Sequence, residues 1–119
     1  EEIFSLSSDE LAAPNCHFLL ARNGQDAVGC VALVDMLHYA EIKRLSVQER
    51  CRGMGIARGL ITEAELLAGD IGLRVVRLET GRPLTAAVGL YRAMGYTDCG
   101  AFGDYPELDS SLFLEKRLF

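Results

Sequence analysis

The chain has 119 residues, half of them apolar, and its 12 basic against 17 acidic side chains leave a net charge of −5. That length supports one hydrophobic core and not two. The acidic balance argues against nucleic acid as a partner, and no apolar run approaches the 18 residues that a membrane span needs.

Ser8 or Asp9 can cap a short helical turn through Leu11, which Pro14 and Asn15 then break. Residues 17–22 (HFLLAR) read as a strand, Asn23-Gly24-Gln25-Asp26 as a hairpin turn, and residues 27–36 (AVGCVALVDM) as the returning strand. Leu37-His38-Tyr39 bends the chain into a third strand over residues 40–47, which completes an antiparallel meander. A helix follows from about residue 54 to 68, because Ile56, Leu60, Ala64 and Leu67 recur at intervals of three and four; Gly69 is its expected stop. Residues 73–79 (LRVVRLE) form a fourth strand. Strand, helix, strand implies a parallel neighbour for the third strand, reached by a right-handed crossover. Thr80-Gly81-Arg82-Pro83 opens a second helix that runs through Met94, with Ala86, Leu90 and Met94 on one stripe and Leu84, Val88 and Tyr91 on another, and Gly95 ends it. Residues 96–99 begin a strand, residues 100–109 are a loop, and residues 111–118 (SLFLEKRL) close the fold. The class is α+β: one domain over residues 1–119 with a mixed sheet, a meander, a β-α-β crossover, a second helix and C-terminal strands.

The stretch over residues 41–68 carries the chemistry. Between Arg50 and Ala57 the order is Arg-x-x-Gly-x-Gly-x-Ala, and Gly53 and Gly55 stand where a loop starts to coil. Without a Cβ these residues can take φ > 0 and let a ligand approach the main chain. The first N–H groups of a helix lack internal partners and carry the positive end of its dipole, so the joint suits a phosphate. A P-loop would need Lys and then Ser or Thr after its last Gly, and Ile56 stands there instead. A dinucleotide fingerprint would need a third Gly and an acidic partner one strand later. A pyrophosphate cradle of another kind remains. Just before it, Glu41, Lys43 and Arg44 interrupt a strand that should be central. Charges inside a sheet are costly unless paired or wetted, and the crossover and the hairpin each supply this strand with a neighbour, so it should border a wet cleft.

Arg50-x-x-Gly53-x-Gly55-x-Ala57 after a strand, followed some thirty residues later by Leu90-Tyr91-Arg92-Ala93-Met94-Gly95-Tyr96, resembles the GCN5-related N-acetyltransferase (GNAT) superfamily, and in particular its small bacterial stand-alone members. The resemblance runs from about His17 to the C-terminus. It implies an N-acetyltransferase that moves an acetyl group from acetyl-CoA to a primary amine by direct attack in a ternary complex, without a metal. It also implies that backbone N–H groups over residues 52–57 (Arg52, Gly53, Met54, Gly55, Ile56, Ala57) hold the coenzyme A pyrophosphate, with Arg50 or Arg52 adding charge. Leu45, Ser46 and Val47 would hydrogen-bond the pantetheine arm, with Thr80 nearby. The third and fourth strands would splay so that the thioester enters between them, an N–H near Val47 polarising its carbonyl. Tyr91 matches the general acid that protonates the leaving thiolate, and a phenol is a neutral donor at pH 7. Glu41 stands where a base takes a proton from the incoming ammonium, with Glu79 as its rival.

Two departures qualify the resemblance. The usual first strand and helices are reduced to a turn, so the chain is truncated or a partner covers the exposed edge, as in a homodimer. Leu84 replaces a polar residue that in relatives often touches the pantetheine. The competing reading is a coenzyme A binding module that senses acyl-CoA without turnover. The four cysteines, Cys16, Cys30, Cys51 and Cys99, stand far apart without a C-x-x-C, and His17 and His38 are not spaced with them as ligands. Together with an N-terminus that has neither a basic nor an apolar region, this predicts reduced thiols in a cytoplasm and no zinc site. The acceptor is a small-molecule or peptide amine whose identity the residues leave open.

Overall fold

The computed structural model describes residues 13–119; the short N-terminal turn expected around Ser8 and Asp9 lies outside them. The elements run β1 (Cys16–Asn23), β2 (Asp26–Asp35), β3 (Ala40–Val47), a 3-10 turn (Glu49–Cys51), α1 (Ile56–Asp70), β4 (Val75–Gly81), α2 (Thr85–Ala93), β5 (Thr97–Asp98) and β6 (Ser111–Arg117). The strands form one sheet in the order β1-β2-β3-β4-β6-β5, with β3 and β4 parallel and every other neighbouring pair antiparallel. This is the expected mixed sheet, and the hairpin closes as expected: Asn23 pairs with Asp26 around Gly24, whose φ is 64°.

Both helices lie on one face. Val31, Leu33, Ala40, Ile42, Val76, Leu78, Leu112 and Leu114 form that face and are buried with Leu60, Ile61, Ala64 and Ala68 of α1 and with Tyr91 and Tyr96. Because strand side chains alternate, Glu41, Arg77, Glu79 and Phe113 point to the other face. Gly29 sets the start of α1 close to the sheet: a Cβ there would lie 3.0 Å from Ile56 Cγ2 and 3.1 Å from Leu60 Cδ1. A side chain at this position would push the first turn of α1 outward.

The helix limits correct two expectations. Gly69 does not stop α1, which continues to Asp70. The chain turns out at Gly72, at φ 89°, where the Leu73 N–H reaches back 2.9 Å to the Ala68 carbonyl. The second helix begins at Thr85, because Thr80 and Gly81 still pair with Leu112 and Ser111 of β6. Its end is as expected: Gly95 has φ 99° and the Tyr96 N–H bonds the Tyr91 carbonyl at 3.0 Å.

Candidate active site

The site begins with an irregularity in β3. Cys30 pairs with Ser46 and Ala32 with Lys43, so β3 spends one residue more than β2 over this span, and Arg44 takes φ 60°. Such a bulge bends its strand and increases the local twist. Beside it the parallel pairing is short: β3 meets β4 only at Ala40 with Val76 and Glu41 with Arg77. Beyond Glu41 the two central strands part, leaving the β4-facing edge of residues 42–47 without a strand neighbour.

A cleft of about 730 Å³ opens beside this gap. Leu45, Ser46 and Val47 form one wall, and Leu84, Thr85, Ala86, Ala87 and Leu90, at the start of α2, form the other. Arg52, Gly53, Gly55 and the first turn of α1 (Ile56, Ala57 and Arg58) close one end. Gly53 and Gly55 sit at φ 83° and 81°, and a Cβ on either would meet nothing within 4 Å. Gly55 is the N-cap of α1 and offers no side chain to it. The first intrahelical bond runs from the Gly59 N–H to the Gly55 carbonyl at 3.0 Å, so the N–H groups of Ile56, Ala57 and Arg58 have no helical acceptor. No acidic residue occupies that first turn. Open space, bare donors and the positive end of a 15-residue helix fit a diphosphate.

The loop before the cradle is tied down from both sides. The Gln48 N–H donates to the Val28 carbonyl at 2.8 Å and its Nε2 to the Ala27 carbonyl at 2.9 Å, while Arg52 Nε donates to the Val47 carbonyl at 3.3 Å. Of the sequence-predicted cofactor residues, Leu45, Ser46, Val47, Arg52, Gly53, Gly55, Ile56 and Ala57 come together in the cleft. Arg50, Met54 and Thr80 are not among its lining residues: Arg50 is held by Gln48, Met54 is exposed, and Thr80 is buried. Sequence reasoning passed over Arg58, Thr85 and Ala87. The small residues of the first turn of α2 were the available signal, since a narrow wall opposite a cradle needs short side chains.

The proton-handling candidates lie on opposite faces of the sheet. Tyr91 is on the helix face and only 6 % exposed, its ring edge-to-face with Tyr96 at 5.7 Å between centroids. Tyr96 is itself fixed, donating to Glu65 at 2.8 Å while Lys116 Nζ donates to the other oxygen of that carboxylate at 2.9 Å. The Tyr91 hydroxyl has no hydrogen-bond partner among the described residues. No buried side-chain oxygen there lacks one, so this oxygen reaches solvent. Burial pushes the phenol up to about 12, which keeps it protonated at neutral pH.

On the other face Glu41 is 3 % exposed and accepts a hydrogen bond from Tyr105, on the loop between β5 and β6. Burial raises its carboxyl above the usual range and the neighbouring Glu79 adds to this, while the Tyr105 hydrogen bond and Lys43 pull the other way. Glu79 is two residues further along β4 than Arg77, the residue paired with Glu41, and is half-buried. Both carboxylates therefore lie on the same face at the point where β3 and β4 part.

Residues 1–96 match the acetyltransferase (GNAT) family. This chain belongs to that family. An IAA acetyltransferase of Azospirillum brasilense is 40 % identical over 115 residues, which span 95 % of this chain and 75 % of that protein. A Klebsiella pneumoniae protein assigned as an acyl-CoA N-acyltransferase superposes with a TM-score of 0.87 at 34 % identity, covering 94 % of this chain and 80 % of its own. The Thermoplasma acidophilum PaiA N-acetyltransferase, solved with coenzyme A, shares the fold with a TM-score of 0.77 at 23 % identity, over 87 % of this chain and 61 % of that one. The GNAT assignment makes acetyl-CoA the cosubstrate and an amine the acceptor of an acyl-CoA-dependent acetyltransferase. No helix among the described residues is long and apolar enough to cross a membrane.

Proposed function

We propose that the chain transfers the acetyl group directly from acetyl-CoA to a primary amine, small-molecule or peptide, while both substrates are bound. The observation that carries this reading is the parting of β3 and β4 beside the cleft, with Tyr91 on one face of the sheet and Glu41 on the other. The N–H groups of the first turn of α1 and the Arg52 side chain hold the diphosphate. The unpaired edge of Leu45, Ser46 and Val47 takes the pantetheine amides, so that the thioester lies in the gap. From the open face the amine approaches, losing its proton to Glu41 through water; the departing sulfur collects one from Tyr91. Glu79 supplies negative charge beside Glu41 and helps attract an ammonium ion. Leu84 offers no hydrogen bond to the arm, a loss of about 1 kcal/mol.

Thiol release measured over a panel of primary amines (an amino acid, a polyamine, an aminoglycoside and a short peptide) tests the reading. Tyr91→Phe should lower kcat roughly 100-fold and leave the acetyl-CoA dissociation constant unchanged, as expected when a general acid is lost. Saturable acetyl-CoA binding with no thiol release on any amine, native or variant, would make the chain an acyl-CoA sensor instead. The cytoplasmic assignment rests on four thiols without a disulfide. The homodimer belongs to the same proposal and rests on β1 lying at the sheet edge among the described residues. A monomer in sedimentation equilibrium at high micromolar concentration would remove it.

A further inference from the structure

The Glu41 carboxylate is held unequally. Oε2 accepts the Tyr105 hydroxyl. Oε1 has no hydrogen-bond partner among the described residues, and since no buried side-chain oxygen there lacks one, Oε1 is the edge that reaches solvent. Tyr105 has contacts besides Glu41 that hold its ring. Its ring lies edge-to-face with Phe102 at 5.7 Å and Phe113 at 6.1 Å between centroids, and Lys43 Nζ stands 5.7 Å from the ring centre. Phe102 in turn lies edge-to-face with Tyr39 and Phe113, each at 5.4 Å between centroids, so the two aromatic rings of the loop rest on this face of the sheet. These ring contacts hold the hydroxyl where it meets the Glu41 carboxylate.

We propose that Tyr105 is a positioning residue for the acetyl transfer: by binding Oε2 it fixes the Glu41 carboxylate with Oε1 turned toward the incoming amine, and it supports the ionised form that can accept a proton. The inference rests on Glu41 acting as the base. The proton leaves the ammonium nitrogen, passes through a water and arrives on Oε1, while the Tyr105 hydroxyl keeps its own proton throughout. The Tyr105 phenol is suited to that passive part, because burial and the Glu41 carboxylate both raise it far above neutral pH. The groups facing Glu41 are Lys43 on its own strand, Glu79 and Arg77 on β4, Tyr39 at the bend before β3, and Tyr105. Lys43 and Tyr105 favour the carboxylate and Glu79 opposes it, so removal of Tyr105 leaves burial and Glu79 opposed only by Lys43.

The test is Tyr105→Phe, which keeps the ring and deletes only the oxygen, beside Glu41→Gln. Thiol release with the amine panel is followed against pH, and the Glu41 carboxyl is titrated by carbon NMR on protein labelled at the glutamate side-chain carboxyl, its signal assigned by loss in Glu41→Gln. In Tyr105→Phe the Glu41 signal should titrate at higher pH. The acid limb of kcat/KM should follow it, with about a ten-fold lower rate at a fixed pH on that limb, the size of one charge-assisted hydrogen bond. Coenzyme A affinity should stay close to native. An unmoved Glu41 titration with an unmoved acid limb would overturn the role of Tyr105 while leaving Glu41 as the base. A Glu41→Gln protein as active as native would instead remove the base assignment and with it this proposal, even if the NMR titration shifted.

Discussion

At the scale of single residues, Glu41, the proposed base, is placed where its charge opposes stability. A carboxylate that is 3 % exposed has given up most of its water, and one tyrosine hydrogen bond and one nearby lysine offset only part of that loss. Its folded-state carboxyl is raised, so the folded chain holds this proton more tightly than the unfolded chain does. The stability it contributes is complete below the ordinary carboxylate value near 4.5 and is lost as pH rises through the higher folded value. Glu41→Gln keeps the shape and an acceptor for Tyr105 but has no charge to bury. It should therefore melt a few degrees above the native chain at pH 8, about 1 kcal/mol, with the difference closing as pH falls toward 4. Its transfer rate should fall about 100-fold. Melting curves at several pH values check the first statement and thiol release the second. A variant that is less stable at pH 8 would show that the carboxylate is better compensated than its contacts imply.

Among the elements, the loop and first turn of α1 separate binding from folding. Gly55 sits at φ 81°, where an L side chain costs about 1 to 2 kcal/mol, but a Cβ there meets no atom within 4 Å. Gly55→Ala should therefore fold with a stability loss of that size. Its methyl projects into the open space beside the free N–H groups, so the coenzyme A dissociation constant should rise ten-fold or more. Calorimetric titration and a thermal melt read the two effects apart, and unchanged coenzyme A binding would place the diphosphate elsewhere. The glycine pair before α1, the two helices and the order of the first four strands were legible in the sequence because their causes are local: a glycine pair before a 3.6-residue stripe, and alternation broken by turn residues. What the sequence hid depends on contacts between distant segments. Gly69 looks like a stop, yet it lies inside α1, because the positive φ that ends a helix falls to Gly72. The bulge at Arg44 exists only relative to the β2 register, and Tyr105 meets Glu41 across 64 residues of chain from a segment that reads as plain loop. Gly29 is likewise silent until α1 is laid over it.

At the scale of the whole molecule, the sheet is nearly two sheets. One half is the β1-β2-β3 meander and the other is β4 with β6 and β5. Only two paired positions join them, against seven between β4 and β6. The shared core beneath α1 and α2 keeps the halves together. In the proposed direct transfer the acyl donor lies beside this split and the acceptor meets it there, so no side chain needs to carry the acetyl group between them. Cys51 is the only thiol in the cleft wall among the described residues. It is buried, and it sits at the end of the cleft proposed to hold the phosphates. Direct transfer therefore predicts intersecting double-reciprocal lines when both substrates are varied, and a Cys51→Ala protein with kcat within about two-fold of native, since exchange of a small apolar residue away from the reacting atoms costs little. Intact-mass spectra after incubation with acetyl-CoA alone should show an unmodified chain. Parallel lines together with a 42 Da adduct, about the mass of one acetyl group, lost in Cys51→Ala would instead mean a two-step route through that thiol, with the split serving only as a passage.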